Sequence, residues 1–469
     1  MAKEFRSSRS TPWWALPVLV LLAFVVHRQE LDLSPFSDDH SAIWNSGASD
    51  IPWRSSFFRP ISDLTFRTGH LISGTSVVGH RAFNVALHGL NAFLLLLLST
   101  RVAALWGSTR RLNAAMLGAL LFLVYPFHQE SILWLVGRES SLGMCFVLLG
   151  LLSLMGEGAV RSRIGGSAVA LFVGLLCYEG AILLPLLAFA LLAFDLLQRR
   201  TPLRPLLVGY GIAGFLYFLM MRASGPAAED AYVAAMLPEG LSGLLSNIPK
   251  VGARLFLPPS ADPDIMVQRA VVLFIILVVL VVVIRRAWRN EQAERYTVLT
   301  MLLLLVLSCS VALIGGVSTR TSESDRFLYL PSAFLCGLLG LLIGHIPRTV
   351  IRLGTAVIVL ILFVTLMEQE VQHWRVASAK TKRIMRELPT APKNGTLFVS
   401  GLPDSYGGAY IFRNGFREAV ALDGRSPERY VDVQEDPISG VVVHFRGVAL
   451  VFGPDDRWTK WTDNGFVDH

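Results

Sequence analysis

Apolar runs recur along nearly the whole chain, separated by short polar breaks. Each run is near the ~20 residues that a helix needs to cross a hydrocarbon core. The approximate spans are 12–26, 82–106, 112–127, 131–155, 165–178, 180–197, 204–221, 267–284, 297–317, 328–345 and 349–367. They predict a polytopic α-helical membrane protein with about eleven transmembrane helices, filling residues 1–367. The basic stretch KEFRSSRS precedes the first run, and VVHRQELDL follows it in place of a small-residue cleavage site. That run therefore reads as an uncleaved first helix.

The pattern changes after residue 367. In MEQEVQHWRVASAKTKRIMREL, apolar Val371, Trp374, Ile384 and Met385 recur among charges, which predicts an amphipathic linker helix over 368–392. Beyond the turn-rich PTAPKNG, the runs TLFVS, AYIF, VVVHF and VALVF are separated by Gly, Pro and Asp clusters. They predict a small, largely β domain over 393–469. The triplet NGT at Asn394 fits an N-glycosylation acceptor.

Composition supports the membrane assignment: 53% of residues are hydrophobic and 16% charged, against roughly a quarter charged in soluble domains. The net charge of +7 reflects topology and anionic lipid and gives no reason to expect a nucleic-acid partner. If the N-terminus is cytoplasmic, basic residues collect in the short inner segments, among them Lys3, Arg6, Arg9, Arg101, Arg110, Arg161, Arg163, Arg199, Arg200, Arg204, Arg289, Arg348 and Arg352. The outer face then holds the long loops 27–81 and 222–266 and the C-terminal domain. Cys145, Cys177, Cys309 and Cys336 fall within or at the ends of apolar runs, so no disulfide framework is expected outside.

The candidate chemistry lies on that outer side. PFSDDHSAIWNSG places Asp38 and Asp39 beside His40, and FFRPISDLTFRTGH carries Arg59, Asp63, Arg67 and His70. YPFHQESILWLVGRESS carries His128 and Glu130 at a helix–helix turn, with Arg138 and Glu139 two turns into the next span. STRTSESDRFLYLPS carries Arg320, Glu323, Asp325 and Arg326. Glu179 in CYEG is expected at an outer turn. Polar groups from separate loops on one side can converge on a single cavity. Solvated loops, a turn cap at His128 and Glu130, and an Arg138–Glu139 ion pair are the plainer alternatives for the same residues. A transporter would also have many spans and intramembrane charges, but its polar residues would gather at the midplane.

In order along the chain, SDDHSAIWN, FFRPISDLTFRTGHLISGTSVVGHRAFNVALHGLNAFLLLLL, YPFHQESILWLVGRESSLGMCFVLLGLL and ESDRFLYLPSAFLCGLLG resemble the transmembrane part of the tetratricopeptide-repeat O-mannosyltransferases, membrane glycosyltransferases of the GT-C superfamily. The family's His-Pro-x-His-x-Glu reads Tyr125-Pro126-Phe127-His128-Gln129-Glu130, and its Gly-Arg-Ala-Asp reads Gly137-Arg138-Glu139-Ser140. No tetratricopeptide repeats follow, so acceptor recognition is expected to differ.

The resemblance implies a GT-C-like fold and inverting transfer of a sugar, mannose-like hexose first, from a polyprenyl-phosphate donor. The acceptor would be an extracytoplasmic hydroxyl on a protein Ser/Thr, or a lipid-linked oligosaccharide or surface polysaccharide. The stretch LPDSYGGAYIFRNGF also looks like a tail seen on bacterial relatives, so the resemblance points to the membrane of a bacterium with the active site facing the periplasm or exterior, and to membrane lipid as a partner. Asp38 or Asp39 would be the general base, since a carboxylate in hydrogen-bond reach can take the hydroxyl proton. Arg138, then Arg320, Arg326 and Arg59, would bind the leaving phosphate through planar donors. His128, Glu130, Glu139 and His40 would support the site, and a divalent cation, Mg or Mn, is a further candidate held by carboxylate and imidazole. The loop 222–266, with Lys250 and Arg254, would cover the cavity.

Overall fold

The computed structural model describes residues 12–47, 57–105, 111–193, 201–224, 240–288, 292–391, 396–432, 448–452, 458–462 and 465–468. Lys3, Arg6, Arg9, Arg110, Arg199, Arg200, Arg289, Asn394 and the strand expected over 441–445 lie outside the described residues.

The apolar runs fold as helices: α1 Ala15–Val26, α4 Val77–Leu105, α5 Arg111–Leu123, α7 Arg138–Leu154, α8 Val160–Leu175, α9 Leu183–Ala193 and α10 Leu203–Ala223. Further along come Met266–Trp288, Gln292–Ser308, Tyr329–Gly344 and Thr349–Glu387. Among the described residues, five helical stretches are long and apolar enough to cross a membrane, and shorter apolar helices include Ala15–Val26 and Leu112–Leu123. The chain is a multi-pass membrane protein. Phe215, Phe274 and Ile358 stay exposed on outer helices, as expected where lipid replaces water and no neighbouring helix covers the face. Buried small residues pack the inner helices closely, Ala114, Ala115 and Ala119 of α5 among them.

The first loop is structured. It carries α2 Asp38–Ser46 and α3 Pro60–Ser73, the latter opened by Pro60 at its first turn, where proline's fixed φ suits a helix start. One difference from the sequence-based expectation bears on the site. The run 131–155 is not one helix: α6 Glu130–Leu133 ends at Trp134, whose backbone is extended at φ −75°, ψ 122°. A new helix begins at Arg138. Arg138 and Glu139 therefore stand in the first turn of α7 and not two turns inside a span.

The helix Thr349–Glu387 runs without a break through both the last span and the amphipathic segment, because neither Gly nor Pro interrupts the chain where the charges begin. Trp374 packs edge-on to Phe36 at 5.0 Å, and Ser378 Oγ accepts from the Ser34 amide at 2.8 Å. These contacts dock the helix on the first loop. The C-terminal region holds β1 Leu397–Ser400, β2 Ser405–Tyr406, β3 Ala409–Tyr410, β4 Tyr430–Asp432, β5 Val448–Phe452, β6 Trp458–Thr462 and β7 Gly465–Asp468. Five strands form one sheet in the order β4-β1-β5-β6-β7, and β2 and β3 form a small hairpin. Strand β1 pairs in parallel with both β4 and β5. Parallel neighbours need a crossover, and between β1 and β4 the helix Phe416–Leu422 lies on that path. Arg425 ties the region back by donating to the Leu388 and Met385 carbonyls at 2.6 and 3.0 Å, satisfying orphan acceptors at a helix C-terminus.

Candidate functional site

Asp38 and Asp39 open α2, where exposed amides at a helix N-terminus favour carboxylates, yet the two are placed very differently. Asp39 is 0% exposed. Its Oδ2 accepts from the Phe36 amide at 3.0 Å and its Oδ1 from the Val136 amide at 3.0 Å. The carboxylate thus pins the first loop to the break between α6 and α7. Burial pushes its pKa up to about 7, against the pull of Arg81 and of the amides. Asp38 is partly exposed, and its Oδ1 accepts from Asn414 Nδ2 at 3.0 Å. Of the pair, Asp38 is the one a substrate can reach. His40 is buried, donates from Nδ1 to the Ser37 carbonyl at 3.1 Å and stacks on Phe412 at 5.7 Å. Burial lowers its pKa to about 4, so it is a neutral packing group at physiological pH.

Arg81 is also buried. It donates to the carbonyls of Leu31, Leu33, Ser34 and Leu133 at 3.1, 2.6, 3.0 and 3.1 Å. One guanidinium thereby fixes the approach to Asp38 against the α6–α7 break. Its only local signal is an arginine near the start of an apolar run, which interfacial anchoring explains equally well.

The arginines divide by their partners. Arg138 donates to the Leu135 carbonyl at 3.1 Å, the His80 carbonyl at 2.9 Å and Thr65 Oγ1 at 3.4 Å, and lies 3.8 Å over the Phe66 ring. It is buried away from lipid, but its nitrogens are turned to the protein's own acceptors, which displaces it as first choice for the phosphate. Arg59 joins two carboxylates, pairing with Glu139 and with Glu179 at 2.6 Å. Burial works to lower its pKa, and the two carboxylates more than offset this, so it stays charged. Arg320 is exposed. Arg326 pairs with Glu130, whose side chain is 0% exposed, and lies 5.4 Å from the Trp134 ring. Tyr410 donates its hydroxyl to Glu130 Oε1 at 2.9 Å. Burial and the neighbouring carboxylate hold the Tyr410 pKa well up, keeping that proton in place.

Arg326 also lines a small cavity of about 20 Å³. Tyr178, Ser140 and Tyr329 contribute polar atoms, and Met144, Val147, Leu183, Val311 and Leu330 make the remainder apolar. Among the described residues, none of 222–266 is in the lining, and 225–239, part of the loop expected to cover the cavity, lie outside the described residues. There the helix Gly240–Arg254 is anchored by the buried Arg254–Asp325 pair at 2.5 Å, and Lys250 donates to Asn247 Oδ1 at 3.1 Å.

The expected cation donors do not converge. His128 is hydrogen-bonded to Ser332 at 3.0 Å, inside an aromatic cluster with Phe122 and Tyr329. Glu130 is turned to Arg326, and Asp39 accepts from two amides. Among the described residues, no group of three or more His, Cys, Asp or Glu side chains is placed to share an ion. The donor set does not fit a Mg or Mn site, and no step is derived through one.

Two further polar groups, Tyr410 and Asn414, reach the site from the C-terminal region. Tyr410 lies in the strand-like run AYIF and Asn414 just beyond it, and nothing local marks either as facing Glu130 or Asp38.

No family model matches the chain. Protein O-mannosyl-transferase TMTC4 of Homo sapiens is 29% identical over 203 residues, covering 38% of this chain and 27% of that protein. Protein O-mannosyl-transferase TMTC3 of Mus musculus is 32% identical over 96 residues, 20% of this chain and 10% of that protein. The matches therefore span about a quarter or less of these curated relatives' length. The crystal structure of ArnT from Cupriavidus metallidurans bound to undecaprenyl phosphate superposes with a TM-score of 0.51 at 14% identity, covering 95% of this chain and 94% of that one. The fold is thus shared with ArnT, and the resemblance to GT-C membrane glycosyltransferases holds in both sequence and fold.

Proposed function

We propose that the chain is an inverting glycosyltransferase that moves a sugar, mannose-like hexose first, from a polyprenyl-phosphate donor to an acceptor hydroxyl outside the cytoplasm. The observation that carries this is Arg326 at the edge of a small, largely apolar cavity: a planar cation beside apolar side chains, a pairing that suits a phosphate joined to an isoprenoid. The Asp38 carboxylate is met by the same C-terminal stretch that meets Arg326. Tyr410 touches Glu130 and Arg326, and Asn414 touches Asp38. The chain between those two residues spans at most about 14 Å when extended.

In one displacement, the anomeric carbon loses its bond to the phosphate oxygen as the acceptor oxygen bonds from the opposite face. Asp38 takes the acceptor proton, and Arg326 meets the negative charge that develops on the leaving polyprenyl phosphate. ArnT's bound undecaprenyl phosphate and the O-mannosyl-transferase relatives support the donor class.

Orientation follows from where the basic residues sit. Arg101 donates to the Leu152 carbonyl and Arg163 to the Leu154 carbonyl. Both therefore mark the end of α7 opposite Arg138, about 20 Å away at 1.5 Å per residue. Cationic segments favour the cytoplasm, so the site would face the periplasm or exterior of a bacterial membrane, in a bundle of about eleven spans. The native cysteines are all buried, so labelling background should be low. An impermeant maleimide should modify Trp44→Cys, half-exposed on α2, in intact cells, and Arg352→Cys only after permeabilisation. The reverse pattern would overturn the orientation.

The function itself is tested with purified protein and radiolabelled polyprenyl-phosphate mannose, offered a Ser/Thr peptide, a lipid-linked oligosaccharide and a surface polysaccharide. Label is expected on one acceptor, with the anomeric configuration inverted and activity retained in chelator. Donor left intact with all three, and with other polyprenyl-phosphate hexoses, would sink the proposal.

A further inference from the structure

Among the described residues, the stretch Leu402–Phe416 of the C-terminal region reaches the site. It touches both loops that carry the candidate chemistry. On one side, the Ser322 amide and hydroxyl donate to the Gly407 carbonyl at 3.3 and 3.1 Å. Arg413 bridges Asp404 and Glu323 at 2.6 and 2.8 Å. On the other, the Ser37 amide donates to the Ile411 carbonyl at 2.9 Å, and the Asn414 amide donates to Ser37 Oγ at 3.1 Å.

The fit is close at both ends. Gly408 has φ +98°, and a Cβ there would lie 2.4 Å from the Ser322 amide nitrogen. Gly415 has φ +79°, and a Cβ there would lie 2.6 Å from the Ser37 carbonyl oxygen. Only glycine meets both demands without strain. Ser37 itself is held at φ +47°, a conformation that non-glycine residues adopt at a cost and that the surroundings must enforce. A merely tethered domain needs no such contacts. Between the two close approaches, Tyr410 is buried against Trp134 at 5.0 Å and donates to Glu130, while Asn414 donates to Asp38.

The geometry points to this stretch as a working part of the transfer site, with Asn414 positioning Asp38 and Tyr410 positioning the Glu130–Arg326 pair. The inference rests on the function proposed above. Asn414 Nδ2 occupies Asp38 Oδ1, which fixes the carboxylate plane and leaves Oδ2 to face an acceptor. Tyr410 gives Glu130 a third donor, beside the Arg326 amide and guanidinium. Without it, the carboxylate would draw Arg326 harder and withdraw it from a phosphate. The two contacts thus act on different steps, one on proton removal and one on donor binding.

The test uses the full-length protein in nanodiscs, with polyprenyl-phosphate mannose and the acceptor that the wild type labels. Asn414→Ala should lower kcat roughly 5- to 10-fold, about the worth of one charge-assisted hydrogen bond at a partly exposed site, with donor KM within twofold. Asn414→Gln, which keeps the amide donor, should recover part of that loss. Tyr410→Phe should raise donor KM roughly 2- to 10-fold, with kcat within twofold. That split is what a purely structural contact would not produce. Wild-type kinetics in both variants would overturn the inference, as would equal losses in kcat and KM accompanied by a lower Tm. Asp38→Asn is measured alongside. Normal turnover in that variant removes the base from the proposed function, whereas an inactive Asp38→Asn beside a normal Asn414→Ala removes only the positioning role.

Discussion

Replacing Asp38 by Asn is expected to lower kcat by about 10²–10⁴-fold, the usual worth of a general acid–base group. Expression, membrane insertion and binding of polyprenyl phosphate should be unchanged. Asn keeps the shape of the side chain and can still meet Asn414, but it cannot accept the proton of the acceptor hydroxyl. The neighbouring position should behave otherwise. Asp39 accepts from the buried amides of Phe36 and Val136 with its two oxygens, and an amide side chain has one oxygen to offer. Asp39→Asn would leave one buried N–H without a partner, a cost of about 1–3 kcal/mol, and should appear first as a lower Tm. Transfer measured beside thermal unfolding separates the two aspartates. Near-normal turnover in Asp38→Asn would end its assignment as base, and a stable but inactive Asp39→Asn would exchange the two roles.

That division between adjacent aspartates was not legible in the sequence. Hydropathy placed the helices well, because burial in lipid demands long apolar runs whatever the tertiary contacts. The break at Trp134 was hidden for the same reason: LWLV is apolar whether helical or extended, and only the packing around it chooses. The error propagated to Arg138, which looked like an intramembrane charge in search of a ligand. In the structure it opens a helix and holds the Leu135 and His80 carbonyls. His128 and Glu130 share a turn in sequence, yet one points to Ser332 and the other to Arg326. Spacing alone could not separate them. The helix Phe416–Leu422 was absorbed into a domain read as strands, since FREAVAL is too short for its periodicity to stand out. Tyr410 and Asn414 stand hundreds of residues from their partners Glu130 and Asp38, beyond the reach of any local pattern.

Arg326→Leu should weaken binding of polyprenyl phosphate more than any other arginine replacement here, but the single variant confounds two effects. Glu130 is fully buried beneath Arg326, and stripping one partner from a buried ion pair costs about 3–5 kcal/mol. The protein could lose donor binding simply by unfolding locally. Adding Glu130→Gln removes the stranded charge while leaving an oxygen to accept from the residue-326 amide and an amide N–H to donate to the Tyr410 hydroxyl, the two groups that meet Glu130 in the parent. The double variant is therefore expected to regain most of the wild-type Tm and still bind polyprenyl phosphate roughly 30- to 100-fold more weakly, the worth of about 2–3 kcal/mol in hydrogen bonds to a charged group. Arg326→Lys should fall between, since an ammonium keeps the charge for Glu130 but lacks the planar fork that meets two phosphate oxygens at once. Arg138→Leu is the contrast: with its nitrogens turned to backbone carbonyls and Thr65, it should lose Tm before it loses affinity. Wild-type affinity in the refolded double variant would remove Arg326 from the donor site and return the cavity to an apolar void between helices.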